Sequence, residues 1–385
     1  MLQRLQLGNG RLRADVVPQA GGGLGRLDWL GGASPQPLLR PLATDTQEVP
    51  LPSQLACFPL VPWSNRMAPF GFAFDDRRHV PAPNRAGEPC PIHGDGWQQA
   101  WEVMSHTPDS ALLRLKRHAA SPFSYDAALR YALEGDALVV ELEVRNAGKY
   151  ALPFGLGLHP WLPDPQGARL QARASQVWLA GADKLPSMRG PLPPDWNFVD
   201  PARLPEHGVD NVFHGWDGTA HIIWPARGVG LSIEANMDYF ILYAPPGRDF
   251  FCFEPVDHPI NAHNLPGYPG LSILAPGASL RRRVVFRAVC CEALAAGLVA
   301  AICCGKRAAA ALQCRDYLPQ IGGRLSVYPH RQRHGAGSSP GAQGPGLCGP
   351  GRHFTGARPV PARARQEAGA AGRVGPRRRL AQRRP

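Results

Sequence analysis

The chain has 385 residues, 44% of them hydrophobic, enough for a substantial packed core in one large domain or two of ordinary size. Its net charge of +12 would ordinarily point to nucleic acid or an acidic membrane. After position 288, however, 16 Lys and Arg face three acids (Glu292, Asp316, Glu367), a net of +13, which leaves 26 basic and 27 acidic residues in 1–288. The body is near neutral, so neither nucleic acid nor membrane is expected as its partner.

Taken in chain order, Met1-Leu2-Gln3-Arg4 runs into polar, strand-like sequence with no apolar signal region, so a cytoplasmic location is expected. Short strands are predicted at 12–17, 112–115, 138–144, 177–179, 221–223, 231–233 and 239–243. The run Leu-Val-Val-Glu-Leu-Glu-Val at 138–144 alternates as a half-buried strand does, and Glu134-Gly135-Asp136 and Asn146-Ala147-Gly148 supply turns. No helical period is sustained, which predicts an all-β antiparallel sandwich or barrel. Its last strand is predicted at 279–287. The domain is accordingly drawn as 1–288.

Residues 289–385 are rich in Ala, Gly, Arg and Pro, and such a composition buries too little apolar surface to offset chain entropy, so a disordered tail is expected. An out-of-frame translation of a high-GC gene is the favoured account of the abrupt change, and deletion of the tail is expected to leave activity intact. Six cysteines (Cys290, Cys291, Cys303, Cys304, Cys314, Cys348) follow the body, but their spacing matches no zinc pattern and no aromatics interleave for base stacking. The stretch 288–305 is too weakly apolar for a membrane span. The body's own Cys57, Cys90 and Cys252 read as reduced, buried thiols.

Five polar clusters sit among aromatics, Gly and Pro: 62–66 (Pro-Trp-Ser-Asn-Arg), 92–97 (Ile-His-Gly-Asp-Gly-Trp), 157–161 (Gly-Leu-His-Pro-Trp), 209–213 (Val-Asp-Asn-Val-Phe) and 250–256 (Phe-Phe-Cys-Phe-Glu-Pro-Val). Singly, each has a structural account, a turn histidine or an ion-paired arginine. Glu254 is the hardest to explain that way. It closes a run that should be a buried strand, where a carboxylate must be paired or have its pKa raised. Tuning of that kind suits a general base.

In their order these segments resemble the aldose 1-epimerase family, the galactose mutarotases and their bacterial relatives, over residues 5–287. The likeness runs through Gly21-Gly22-Gly23, Leu38-Leu39-Arg40-Pro41, Ser64-Asn65-Arg66, His93-Gly94, Gly157-Leu158-His159-Pro160, Asp210-Asn211-Val212-Phe213 and Phe251-Cys252-Phe253-Glu254-Pro255-Val256. The resemblance implies a large antiparallel β-sandwich, the galactose mutarotase-like supersandwich, with a sugar site on a concave sheet face. It implies an isomerase that interconverts the α and β anomers of a free monosaccharide without metal or organic cofactor. Glu254 is then the base at the C1 hydroxyl and His159 the acid at the ring oxygen. His93 and Arg66 hold the ring-oxygen side, Asp210 accepts sugar hydroxyls, and Trp97, Trp161 or Trp216 offers a wall for the sugar. The expected geometry sets Glu254 and His159 on opposite sides of a sugar-sized cleft, several ångströms apart.

Pro160-Trp161 after the histidine and Pro255-Val256 after the glutamate depart from the galactose-specific branch, so the reaction class is implied more firmly than the sugar. His258 and His263 read as structural. Two alternatives remain open. A glucose-6-phosphate 1-epimerase would need cations near the site, for which Arg77, Arg78 and Arg85 are candidates. A non-catalytic carbohydrate-binding protein would not need the acid–base pair. No oligomeric state is implied.

Overall fold

The computed structural model describes residues 2–43, 48–118, 122–181 and 183–290. The tail expected beyond 288 lies outside them apart from Val289 and Cys290, which complete the last strand, Ser279–Cys290. Cys290 pairs with Val229 and Val289 with Gly230, so the ladder runs past the boundary that composition suggests.

Alternation of side chains along each strand builds the architecture. In Ala137–Asn146, Leu138, Val140, Leu142 and Val144 enter the main core while Glu141 and Glu143 leave the other side. The hairpin to Tyr125–Glu134 turns over Gly135-Asp136, with Gly135 at φ +60°. Among the described residues the strands form an eleven-stranded and a nine-stranded antiparallel sheet with two small two-stranded sheets, and the helices are single 3-10 turns. Each strand expected from sequence lies within an observed one; 177–179, for example, falls inside Gln176–Ala180. No helix among the described residues is long and apolar enough to cross a membrane.

One apolar core joins the two large sheets. The eleven-stranded sheet contributes Phe213, Phe240, Leu242, Phe251 and Phe253, and the nine-stranded sheet contributes Leu129, Ile222, Leu231, Ile233 and Phe286. Phe240 stacks between Phe213 at 4.6 Å and Phe253 at 4.4 Å. Each fully buried side chain of this size contributes about 1.5–3 kcal/mol relative to exposure. The centre of the eleven-stranded sheet runs Gly23–Trp29, Cys57–Leu60, Gly157–Pro163, Phe250–Val256, Tyr239–Ala244, Val209–His214. Its other face carries a second apolar cluster that includes Phe58, Trp97, Val212, Ile241 and Val256. Period two therefore decides where the polar groups go. With Phe251 and Phe253 in the core, Cys252 and Glu254 must project from that second face.

Candidate active site

The histidine strand (Gly157–Pro163) and the glutamate strand (Phe250–Val256) are antiparallel neighbours. Their register pairs Gly157 with Val256 and Trp161 with Cys252, which sets His159 opposite Glu254. The His159 Nε2 lies 3.2 Å from Glu254 Oε1, and both residues are buried, at 7% and 2% exposure. His159 Nδ1 and Glu254 Oε2 have no hydrogen-bond partner. The opposed placement across a cleft is thereby corrected: directly paired residues on adjacent strands lie side by side on one face.

Aromatic rings wall this pair. Phe58, cross-strand from His159, stacks on its imidazole at 4.5 Å, and Trp161 stacks at 5.2 Å. The Arg40 guanidinium lies 4.1 Å over Trp161. Of the three tryptophans expected as a sugar wall, Trp161 lies on the site face and Trp97 stacks behind Phe58 at 5.4 Å. Trp216 packs in the inter-sheet core against Phe240 and Phe253, where no sugar reaches. The indole N–H groups of Trp161 and Trp178 are buried without partners.

Two loops bring His93 and Arg66 to the pair. His93 and Asn65 both adopt the left-handed backbone region, at φ +62° and +53°. They lock each other: the His93 N–H donates to the Asn65 carbonyl at 2.9 Å, and the Asn65 N–H donates to His93 Nδ1 at 3.0 Å. Nδ1 is thus an acceptor, and the proton of the neutral ring sits on Nε2. Gly94 makes the loop possible, since a Cβ at its φ of +66° would lie 2.1 Å from the Val61 carbonyl oxygen. The His93 ring meets that of His159 edge-on at 5.3 Å. Arg66 is held by Glu88 at 3.0 Å from its Nε, a partner that sequence reasoning missed because it lies on another loop.

Asp210 belongs to Val209–His214, where it pairs with Tyr243, which in turn pairs with Cys252. Lateral neighbours share a face, so Asp210 joins Glu254 on the site side, half-buried. Burial pushes the Glu254 carboxyl well above its usual 4.5, aided by the Asp210 charge and opposed by Arg66. Burial also raises Asp210, again against Arg66. His159 is pushed down to about 3 and His93 well below 6.5, both chiefly by desolvation. The direction for the pair is clear: loss of water favours the uncharged carboxylic acid and the neutral imidazole, sharing one proton.

The other sequence candidates are spent elsewhere. His258 Nε2 accepts the Ser64 N–H at 3.0 Å, and His263 Nε2 donates to the Pro153 carbonyl at 3.0 Å. Arg77 stacks on Tyr150 and Arg78 bonds the Phe70 carbonyl, whereas the exposed Arg85 is close enough to depress both His93 and His159. Phe58 and Arg40 went unassigned in the sequence because an apolar run and a surface-type Arg carry no local signal of chemistry. His159, Cys252 and Glu254 also bring one donor atom each within 4.8 Å of the others, a set able to hold a metal.

A family model for aldose 1-epimerase matches residues 3–287. The uncharacterized protein YphB of Escherichia coli strain K12 is 35% identical over 296 residues, covering 73% of this chain and 97% of that one. A solved Escherichia coli K12 structure, provisionally named an aldose 1-epimerase, gives a TM-score of 0.70 at 32% identity over 75% of this chain and 100% of that one. A galactose mutarotase-like protein from Clostridium acetobutylicum gives a TM-score of 0.66 over 75% of this chain and 96% of that one. At 17% identity that likeness is one of fold alone.

Proposed function

The chain belongs to the aldose 1-epimerase family, and on that premise we propose that it interconverts the α and β anomers of a free aldose by acid–base ring opening and closure. The observation that carries the reading is the buried contact of 3.2 Å between His159 and Glu254 on an aromatic-walled sheet face. Mutarotation acts on two oxygens, the C1 hydroxyl and the ring oxygen, and both are bonded to the same carbon. Two neighbouring side chains on one side of the sugar can therefore serve both. Glu254 takes the hydroxyl proton while His159 gives a proton to the ring oxygen, and the C1–O5 bond breaks to an aldehyde. After rotation about C1–C2 the ring oxygen adds to the other face. Its proton returns to His159, and Glu254 returns a proton to the C1 oxygen.

Desolvation holds the free pair as carboxylic acid and neutral imidazole, so a turnover starts with the shared proton crossing to His159. Direct contact makes that transfer possible. The Nε2–H of His93 and the Arg66 guanidinium hold the ring-oxygen side, and Asp210 accepts hydroxyls. Proton transfer alone balances the reaction.

Polarimetry of freshly dissolved α-D-glucose and α-D-galactose tests the reading. The wild-type chain should speed the approach to equilibrium rotation and Glu254→Gln should not. Failure with these sugars, with other free aldoses and with phosphorylated sugars would leave a carbohydrate-binding protein. A phosphorylated aldose is a second reading, favoured by the exposed Arg85, whose positive charge acts on both site histidines. Faster mutarotation of glucose 6-phosphate than of glucose in the same polarimeter would select it.

A further inference from the structure

Cys252 lies on the site face, and the proposed reaction gives it nothing to do. It precedes Glu254 by two residues on one strand, so both side chains leave the sheet on the same side, and His159 lies opposite Glu254 on the next strand. The thiol sulfur, a ring nitrogen of His159 and a carboxylate oxygen of Glu254 all lie within 4.8 Å of one another, and all three residues are buried. Tetrahedral zinc, with bonds of about 2.0–2.3 Å, spaces its ligands roughly 3.3–3.8 Å apart. A small inward shift of the side chains closes the set.

The donor chemistry selects the ion. One thiolate, one imidazole and one carboxylate suit zinc or cobalt(II) and not magnesium or calcium, and three protein ligands leave a fourth position open. Two anionic donors cancel the ion's charge within a buried site, and the thiol gives up its proton on coordination. Glu254 Oε2 and His159 Nδ1 are buried without partners, so the side chains have unused coordinating or hydrogen-bonding capacity. The charges of Arg40 and Arg66 oppose a cation here, while Asp210 favours one.

We propose that Cys252, His159 and Glu254 bind a thiophilic divalent cation, zinc or its cobalt(II) analogue, and that the bound ion stops turnover by occupying the acid and the base. The inhibition rests on the roles given to His159 and Glu254 above; the binding does not.

The full-length chain is titrated with cobalt(II) chloride while thiolate-to-cobalt charge-transfer absorption is followed in wild type, Cys252→Ser and Glu254→Gln. The difference between wild type and Cys252→Ser removes the contribution of the other cysteines, and Cys252→Ala replaces the serine variant if circular dichroism shows that it unfolds. A saturable band in that difference is expected, with one cobalt bound. Its half-saturating concentration should rise at least roughly tenfold in Glu254→Gln, the scale on which even residues hydrogen-bonded to metal ligands act. Zinc should slow mutarotation by wild type, and the ratio of rates with and without zinc should return to one in Cys252→Ser. Superimposable cobalt spectra of wild type and the Cys252 variant would overturn the proposal. A band in a protein that turns over no sugar would uphold the binding site and remove the acid–base reading instead.

Discussion

Replacing Glu254 with Gln separates catalysis from stability, because the same burial that tunes the carboxyl also strains it. The amide keeps the shape and can still donate to His159 Nε2 across the 3.2 Å contact, but it cannot accept the C1 hydroxyl proton. Loss of a positioned proton-transfer group costs roughly 100- to 10,000-fold in rate, or about 3–5 kcal/mol of transition-state stabilisation. Stability should move the other way. The folded-state pKa of Glu254 is raised above 4.5, so above that pH the unfolded chain releases a proton that the folded chain keeps. That contribution is fully present below pH 4.5 and is lost as pH rises towards the folded value, at about 1.4 kcal/mol per pH unit. Gln does not titrate, so the variant should gain on wild type as pH rises above 4.5, until the folded value of Glu254 is passed. At roughly 2–4 °C of melting temperature per kcal/mol, the gap is readable by thermal denaturation at pH 5, 6, 7 and 8. Turnover within tenfold of wild type, or a stability gap that does not widen with pH, would refute the placing of a desolvated carboxyl at the reacting carbon.

Asp210→Ala should raise KM by about 10- to 100-fold with kcat largely kept, the loss of a charge-assisted hydrogen bond of about 1.5–3 kcal/mol; polarimetric rates against sugar concentration check the split. Gly94→Ala should cost at least about 1–2 kcal/mol from its left-handed backbone alone, with more from the 2.1 Å approach to the Val61 carbonyl, and urea midpoints measure it. It should also lower turnover, because His93 rides on the same loop. His263 is held down to about 3, so between pH 6.5 and that value the unfolded chain binds a proton that the fold refuses, and stability falls as pH falls. His263→Gln should flatten that fall by about 1.4 kcal/mol per pH unit between pH 6.5 and 4.5, read by denaturation at both values.

Local pattern made much of this legible. In Phe-Phe-Cys-Phe-Glu-Pro-Val, alternation alone says that a carboxylate leaves a buried strand on the side away from Phe251 and Phe253, and the structure places Glu254 there. The same period located Leu12–Val17 and the core face of Ala137–Asn146. What local pattern does not carry is which strand lies beside which. The glutamate strand has the histidine strand on one side and Tyr239–Ala244 on the other, and only the closed topology of the sheet decides that. Without the register, two reactive side chains from distant segments are naturally imagined facing one another. Glu88 and Phe58 were missed, and Arg40 was given no role, for the same reason: each matters through a neighbour brought by long-range pairing or loop closure.

Adjacency also bears on how chemistry and selectivity divide on the proposed reading. Paired residues on neighbouring strands hold their Cβ atoms about 4.5–5.5 Å apart, a spacing set by backbone hydrogen bonding and independent of any loop. A hemiacetal carbon asks for an acid and a base at that scale, since its two oxygens share one atom. A single cross-strand pair at the centre of a sheet buried on both faces therefore suffices for ring opening, and its rigidity comes from the ladder itself. Arg66 and His93 are positioned instead by loops, through Glu88 and through the mutual lock with Asn65. Changes in those loops should alter which hydroxyls are accepted while leaving the proton-transfer pair in place. A chimaera that exchanges residues 62–66 and 92–97 for those of a relative with another sugar preference should shift KM ratios between sugars by more than it shifts kcat; the opposite pattern would place part of the acid–base machinery on the loops.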